Sequence, residues 1–220
     1  MDIFIREFGR SFSTSEAAFL FMWVIGIFGA MALAIIIERS YYILVRSNIN
    51  ADKFMAEIRK LVAGGNMDRA IALCEKGKLK ALPFVVLRGL KRATESETLD
   101  FRAIQNAVDE GTLEVIPKLQ ERTSYLSMLA NVATLTGLMG TIYGLILAFA
   151  AVGSDAIPEA EKQKFLTQGI SAAMNTTIWG LAIAIPSIFV YTYIVNRTTK
   201  IIDEMDEHLV KLINLITGNR

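Results

Sequence analysis

The chain has 220 residues, with 23 basic and 22 acidic side chains, one histidine, one cysteine and a formal net charge of +1. That balance argues neither for nor against nucleic acid, although no basic aromatic groove is visible, and the lone Cys74 excludes an internal disulfide. Hydrophobic residues make up 53% of the chain and the mean hydropathy is +0.40. Most of that content lies in three charge-free stretches, Ala17–Ile37, Thr123–Ser154 and Phe165–Asn196, as in a polytopic membrane protein with a modest soluble part.

Residues 1–16 form a short amphipathic lead, with Ile3, Phe4, Phe8 and Phe12 apolar and Arg6, Glu7 and Arg10 polar. Such a lead lies on a membrane surface or packs beside the first span, and the pattern leaves both open. Ser13, Thr14 and Ser15 with Glu16 offer an N-cap for the next helix. The lead carries both signs of charge and lacks a small-residue cleavage site, so the first span is expected to stay in the mature protein. Span 1, 17–37, is rich in Phe, Ile, Ala and Gly and reads as lipid-facing. Glu38, Arg39, Tyr41, Tyr42 and Arg46 close it with interfacial chemistry.

The region 38–122 is helical in pattern throughout. Phe54, Ile58, Leu61 and Val62 mark one helix ended by Gly64-Gly65, and Met67–Lys76 marks a second, followed by Gly77. Cys74, beside Ala70, Ile71 and Leu73, reads as a buried thiol on that small helix. Pro83 is expected to open a third helix, and Arg88, Lys91 and Arg92 a solvated face upon it. A long pattern through Leu99, Ile104, Val108, Val115 and Leu119 then leads toward span 2, with a kink expected near Pro117. No strand alternation and no internal repeat stands out.

Span 2, 123–152, runs about 30 residues without a charge, against the roughly 20 that cross a bilayer core. Asn131, Thr134 and Thr141 recur on one side of it, with Gly137, Gly140 and Gly144 close by. After a short loop, 153–164, span 3, 165–196, is polar in its first half through Thr167, Gln168, Ser171, Asn175, Thr176 and Thr177. Gly180 and Pro186 then permit close approach and a bend. The tail, 197–220, continues the helix, with Ile201, Ile202, Met205, Leu209, Leu212 and Leu215 as an apolar stripe. That stripe is expected to pack against the helix continuing from span 2 or against a neighbouring subunit, and His208 reads as a solvated surface residue. Basic residues flank the large loop and the tail, so both are expected in the cytoplasm with the N-terminus outside.

No phosphate-cradling glycine motif, catalytic triad or metal-ligand spacing is present, and no cofactor is expected. The polar rows point to a hydrated wall, to helix packing, or to both. The spans hold no acidic, basic or imidazole residue, so a proton crossing here needs a carboxylate from another polypeptide. A stand-alone carrier is disfavoured, because inverted repeats and an intramembrane charge are both missing.

The segments LTGLMGTIYGLILAF and GISAAMNTTIWGLAIAIPSIFVY resemble the signature of the MotA/TolQ/ExbB proton-channel family, and three spans match its TolQ/ExbB branch. The resemblance implies an all-α membrane protein with three transmembrane helices, spans 2 and 3 extended into a cytoplasmic helical bundle. It implies a multi-pass protein of the bacterial inner membrane, with residues 1–16 and 153–164 periplasmic. It also implies a pentamer around two copies of an ExbD/TolR-like single-span partner that supplies an intramembrane aspartate. Ion flow, with the proton as the expected ion, would then drive work on a periplasmic TonB-like or TolA-like effector. Thr141 and Thr177 match the family's pore-lining threonines, and Pro186 its span 3 proline. Ala172 stands where TolQ and ExbB commonly carry a glutamate. A gliding-motility or sodium-driven stator of the same family, and a non-conducting scaffold, remain the alternatives.

Overall fold

The computed structural model describes residues 19–47, 49–95 and 100–218. The amphipathic lead and the cap at Ser13–Ser15 lie outside the described residues. Every regular element among them is helical: α1 Phe19–Tyr41, a five-residue π-helical turn Tyr42–Arg46, α2 Ala51–Ala63, α3 Met67–Lys76, α4 Ala81–Glu95, α5 Phe101–Gln120, α6 Thr123–Val152 and α7 Glu159–Ile216. Three long helical stretches, containing α1, α6 and α7, are apolar enough to cross a membrane. The latter two continue well beyond any bilayer core, which needs about 20 residues: the stretch with α6 begins at Phe101, and α7 is 58 residues long. The fold is the all-helical, three-span architecture expected.

The chain divides into two compact units, one of 1–37 with 122–192 and the other of 38–121 with 193–220. In the first unit, α1, α6 and the first part of α7 share a small apolar cluster. Ala32, Leu126 and Leu129 form its centre, and Phe28, Ile35, Ile36, Ile183, Val190 and Tyr191 pack around it. The outer faces carry exposed Leu, Ile, Met and Phe side chains such as Leu135, Ile142, Ile146 and Phe149. An aqueous protein would not leave so many bare, whereas a membrane or a neighbouring subunit covers them.

In the second unit, α2 is capped by Asn50, whose Oδ1 accepts a hydrogen bond from the Lys53 amide at 3.0 Å. It ends at Gly64, and Gly65 (φ +72°) takes the left-handed turn for which a Cβ is a strain. Its inward residues Ala51, Met55, Ile58 and Val62 follow helical period, and α3 contributes Ala70 and Cys74. Burial pushes the Cys74 thiol up to about 12, as for an inert core cysteine. Pro83 sits at the third position of α4, the most enclosed helix of this unit. A Cβ on Gly89 would stand 2.7 Å from Val108 Cγ2, so α4 and α5 touch closely there. Arg88 and Lys91 hold exposed ion pairs with Glu114 and Glu75, at 3.3 and 2.9 Å.

Three expectations need correction. The long helix is not disturbed at Pro117, which lies inside α5. The interruption comes a turn later, where Glu121 is extended (ψ 139°) and Arg122 adopts φ 58°. Arg39 supplies the reason. In an unbroken helix the carbonyls of Lys118 and Leu119 would accept from the amides of residues 122 and 123. Here the buried Arg39 guanidinium donates to both, at 3.3 Å for Lys118 and at a short contact for Leu119.

His208 is not a solvated surface residue but is 6% exposed. Its Nδ1 lies 3.0 Å from Arg59 Nη2 and its Nε2 3.4 Å from Asp52 Oδ1. One helical step before Leu209, it shares the inward face of α7 and meets α2. The stripe on that face is also displaced: Met205, Leu209, Leu212, Ile213 and Ile216 are buried, while Leu215 is exposed and Ile201 and Ile202 are half-buried.

Candidate functional site

The contact between α6 and α7 is built from small residues at matched spacing. On α6, Ala133, Gly137, Gly140, Gly144 and Ala148 recur every third or fourth position and are buried. On α7, Gly169, Ala173, Thr176 and Gly180 answer them. An added Cβ on Gly137 would stand 2.9 Å from the Thr176 carbonyl oxygen, and one on Gly180 would stand 2.7 Å from that of Ala133. Gly140 faces the Thr176 side chain at 2.8 Å by the same test, and Gly144 faces the Ala173 Cβ at 3.0 Å. Backbone meets backbone along this seam, as small-residue spacing permits between membrane helices.

Hydroxyl groups gather in the seam. Thr141 Oγ1 reaches the carbonyls of Gly137 and Ala173 at 3.2 and 3.0 Å and makes a short contact with Thr177 Oγ1. Thr177 Oγ1 lies 3.4 Å from the Gly137 carbonyl. Thr176, fully buried, donates within reach of Gly137 O at 3.1 Å and Ala173 O at 2.7 Å. Each threonine has one proton to donate and lone pairs to accept with. Whichever way the Thr141–Thr177 contact is polarised, each hydroxyl keeps capacity to accept from a further donor. Neither can carry a charge.

The other expected residues spread out. Thr134 is half-buried and bonds back to the Ala130 carbonyl at 3.1 Å. Asn131 and Ser171 are exposed, and Asn175 is half-buried. Pro186 is exposed within α7, which runs through it, and the following Ser187 bonds back to the Ile183 carbonyl at 2.7 Å. Ala172 is buried, so the position is filled by a methyl group among packed helices. The structure therefore unites Thr141, Thr177 and the four glycines, and leaves Asn131 and Ser171 on outward faces.

Gly169 and Ala173 were not singled out by the sequence pattern, and Thr176 stood there only as one of the polar residues of span 3. Their signal was present: small residues at 169, 173, 176 and 180 repeat the 133, 137, 140 and 144 spacing of α6. The match exists only between the two spans, not within either one.

Comparison with known proteins places the chain in a family. A family model described as the MotA/TolQ/ExbB proton channel family matches residues 80–207. An ExbB homolog of Methanothermobacter thermautotrophicus is 24% identical over 221 residues, covering 99% of this chain and 73% of its own. The biopolymer transport protein ExbB of Aquifex aeolicus is 28% identical over 65% of this chain and 86% of its own. The Tol-Pal system protein TolQ of Haemophilus influenzae is 25% identical over 79% of this chain and 77% of its own.

Proposed function

The chain belongs to the MotA/TolQ/ExbB proton channel family, and from that premise we propose that it is an ExbB/TolQ-like subunit of an ion-driven motor in the inner membrane. In this reading several copies, five by family resemblance, surround two single-span partner helices of the ExbD/TolR type. A partner aspartate carries the ion, here a proton, past the hydroxyls of Thr141 and Thr177. Asn131, Thr134, Ser171 and Asn175 extend the polar path, and the glycines and Pro186 set the approach and bend of its walls. The large helical unit and the C-terminal end lie in the cytoplasm and the N-terminus in the periplasm. The motor passes its motion to periplasmic or outer-membrane machinery of the TonB or Tol kind.

One observation carries this reading: two hydroxyls paired across the seam of two spans that contain no carboxylate, basic or imidazole side chain. Hydroxyls accept from and orient a protonated carboxyl or water, but they do not titrate. The acid must come from elsewhere, and a single-span partner is the smallest source. One elementary charge crossing 100 mV releases about 2.3 kcal/mol, enough to bias a rotation step.

Thr141→Val and Thr177→Val test it. In membranes containing the partner, each should lower ion-coupled activity about 10-fold, the loss of roughly one hydrogen bond, while the solubilised assembly keeps its mass. Normal coupling in both variants would sink the reading. The glycine seam favours one rival, a non-conducting scaffold, in which these substitutions shift assembly stability and leave ion flux unchanged.

A further inference from the structure

The second unit holds a cleft of about 180 Å3 whose walls include Tyr42, Arg46, Lys78, Lys80, Phe84 and Lys118. Four of these six are cations, and no carboxylate lines the cleft. Glu114 reaches Lys118 at 2.8 Å from outside the wall and is shared with Arg88 at 3.3 Å. The two rings help to hold the cations in place. Arg46 lies 5.7 Å from the Tyr42 ring centre, with Arg39 at 5.0 Å from the same ring. Lys118 lies 5.7 Å from that of Phe84.

Between its two lysines the cleft presents Leu79, which is 70% exposed. The tight turn that displays it is fixed by a 2.8 Å hydrogen bond from the Lys80 amide to the Gly77 carbonyl. A bare leucine flanked by lysines serves little purpose in water, but it matches a surface where phosphates and acyl chains meet. The covalent chain keeps the site beside the membrane. Tyr42 follows the charge-free stretch ending at Ile37 by five positions, and Lys118 precedes the one starting at Thr123 by five, a reach of at most ~18 Å.

From this geometry we infer that the cleft binds the phosphate of an anionic phospholipid headgroup, with Arg46, Lys78 and Lys80 as its cationic ligands and Leu79 set toward the acyl region. Lysines supply point charges to a phosphate, and an arginine supplies a two-pronged donor. A soluble phosphate would use the same cations but has no use for Leu79. The site requires only that the chain span a membrane. Its failure would leave the ion-coupling reading untouched, and the reverse also holds.

The test uses the full detergent-solubilised protein and follows its thermal midpoint. The additives are mixed micelles of dioleoylphosphatidylglycerol, the same micelles with dioleoylphosphatidylcholine, or inorganic phosphate. The variants are Arg46→Gln/Lys78→Gln/Lys80→Gln, and Lys53→Gln/Lys60→Gln/Arg69→Gln as a charge-matched control on the exposed faces of α2 and α3. Phosphatidylglycerol should raise the midpoint of the native and control proteins by several degrees, and the triple variant should lose most of that rise. The triple variant is scored for folding by Cys74, which must stay closed to alkylation. An undiminished rise in the triple variant, an equal rise with phosphatidylcholine, or a rise with inorganic phosphate alone would each overturn the assignment.

Discussion

At the scale of single residues, burial decides chemistry more than residue type does. Asp206, on the outward side of the last turns of α7, is held above the ordinary carboxylate range by desolvation and by the neighbouring carboxylates of Asp203 and Asp109. A raised pKa in the folded state means that ionising Asp206 costs more there than in the unfolded chain. The penalty is absent below the usual aspartate value of about 3.9 and complete above the raised one. Asp206→Asn should therefore raise the thermal midpoint at neutral pH, with the gain fading as pH falls toward about 4 and gone below it. An equal gain at every pH would show that charge is not the cause. Arg39 illustrates the same rule with the opposite sign. Its buried guanidinium serves the two carbonyls that the end of α5 leaves open. Arg39→Gln should cost about 2–4 kcal/mol, since charge-assisted bonds contribute ~1.5–3 each and the shorter amide reaches neither carbonyl well. Denaturant unfolding of the solubilised protein measures it, and an unchanged midpoint would remove Arg39 from this role.

At the scale of elements, the α6–α7 seam is specified by what is missing from its side chains. Gly180→Ala places a methyl carbon 2.7 Å from the Ala133 carbonyl oxygen and 3.3 Å from the Gly137 Cα. Those are backbone atoms that cannot swing aside, so the helices must part. The expected loss is ~1–3 kcal/mol, read as a lower thermal midpoint. Gly153→Ala is the control, because its new Cβ would meet only carbonyls of its own helix end, at 3.6 Å and beyond. Equal midpoints for the two variants would mean that the seam is looser than its geometry. Several hydroxyls on these helices, among them Thr134, Thr136, Ser187 and Thr192, bond back to carbonyls four residues earlier. A threonine row by itself therefore does not mark a pore. Thr141 and Thr177 differ because they also face each other across two helices.

At the scale of the whole molecule, the exposed apolar faces of α1, α6 and α7 ask for lipid or for further copies of the chain. The proposed motor predicts that the solubilised assembly has the mass of several subunits, about five, as in the family it resembles, and a purely monomeric species would remove its pore. Much of this was legible in the sequence alone. Three charge-free stretches determined three membrane helices, because a backbone in hydrocarbon must satisfy its own hydrogen bonds. Helical period together with Gly64, Gly65 and Gly77 placed α2 and α3. The absence of any charge in the spans determined that the proposed motor must borrow its acid. Tertiary structure alone decided which side each helix turns inward. Arg39 reads as an interfacial cation until α5 offers it two open carbonyls, and His208 as a surface residue until Asp52 and Arg59 of α2 close over it. Thr176 is ordinary until Gly137 makes room for it across the seam. The reason is physical: hydropathy and period are carried by neighbours along one chain. A partner's carbonyl, or the space beside a glycine, exists only once two distant segments have met.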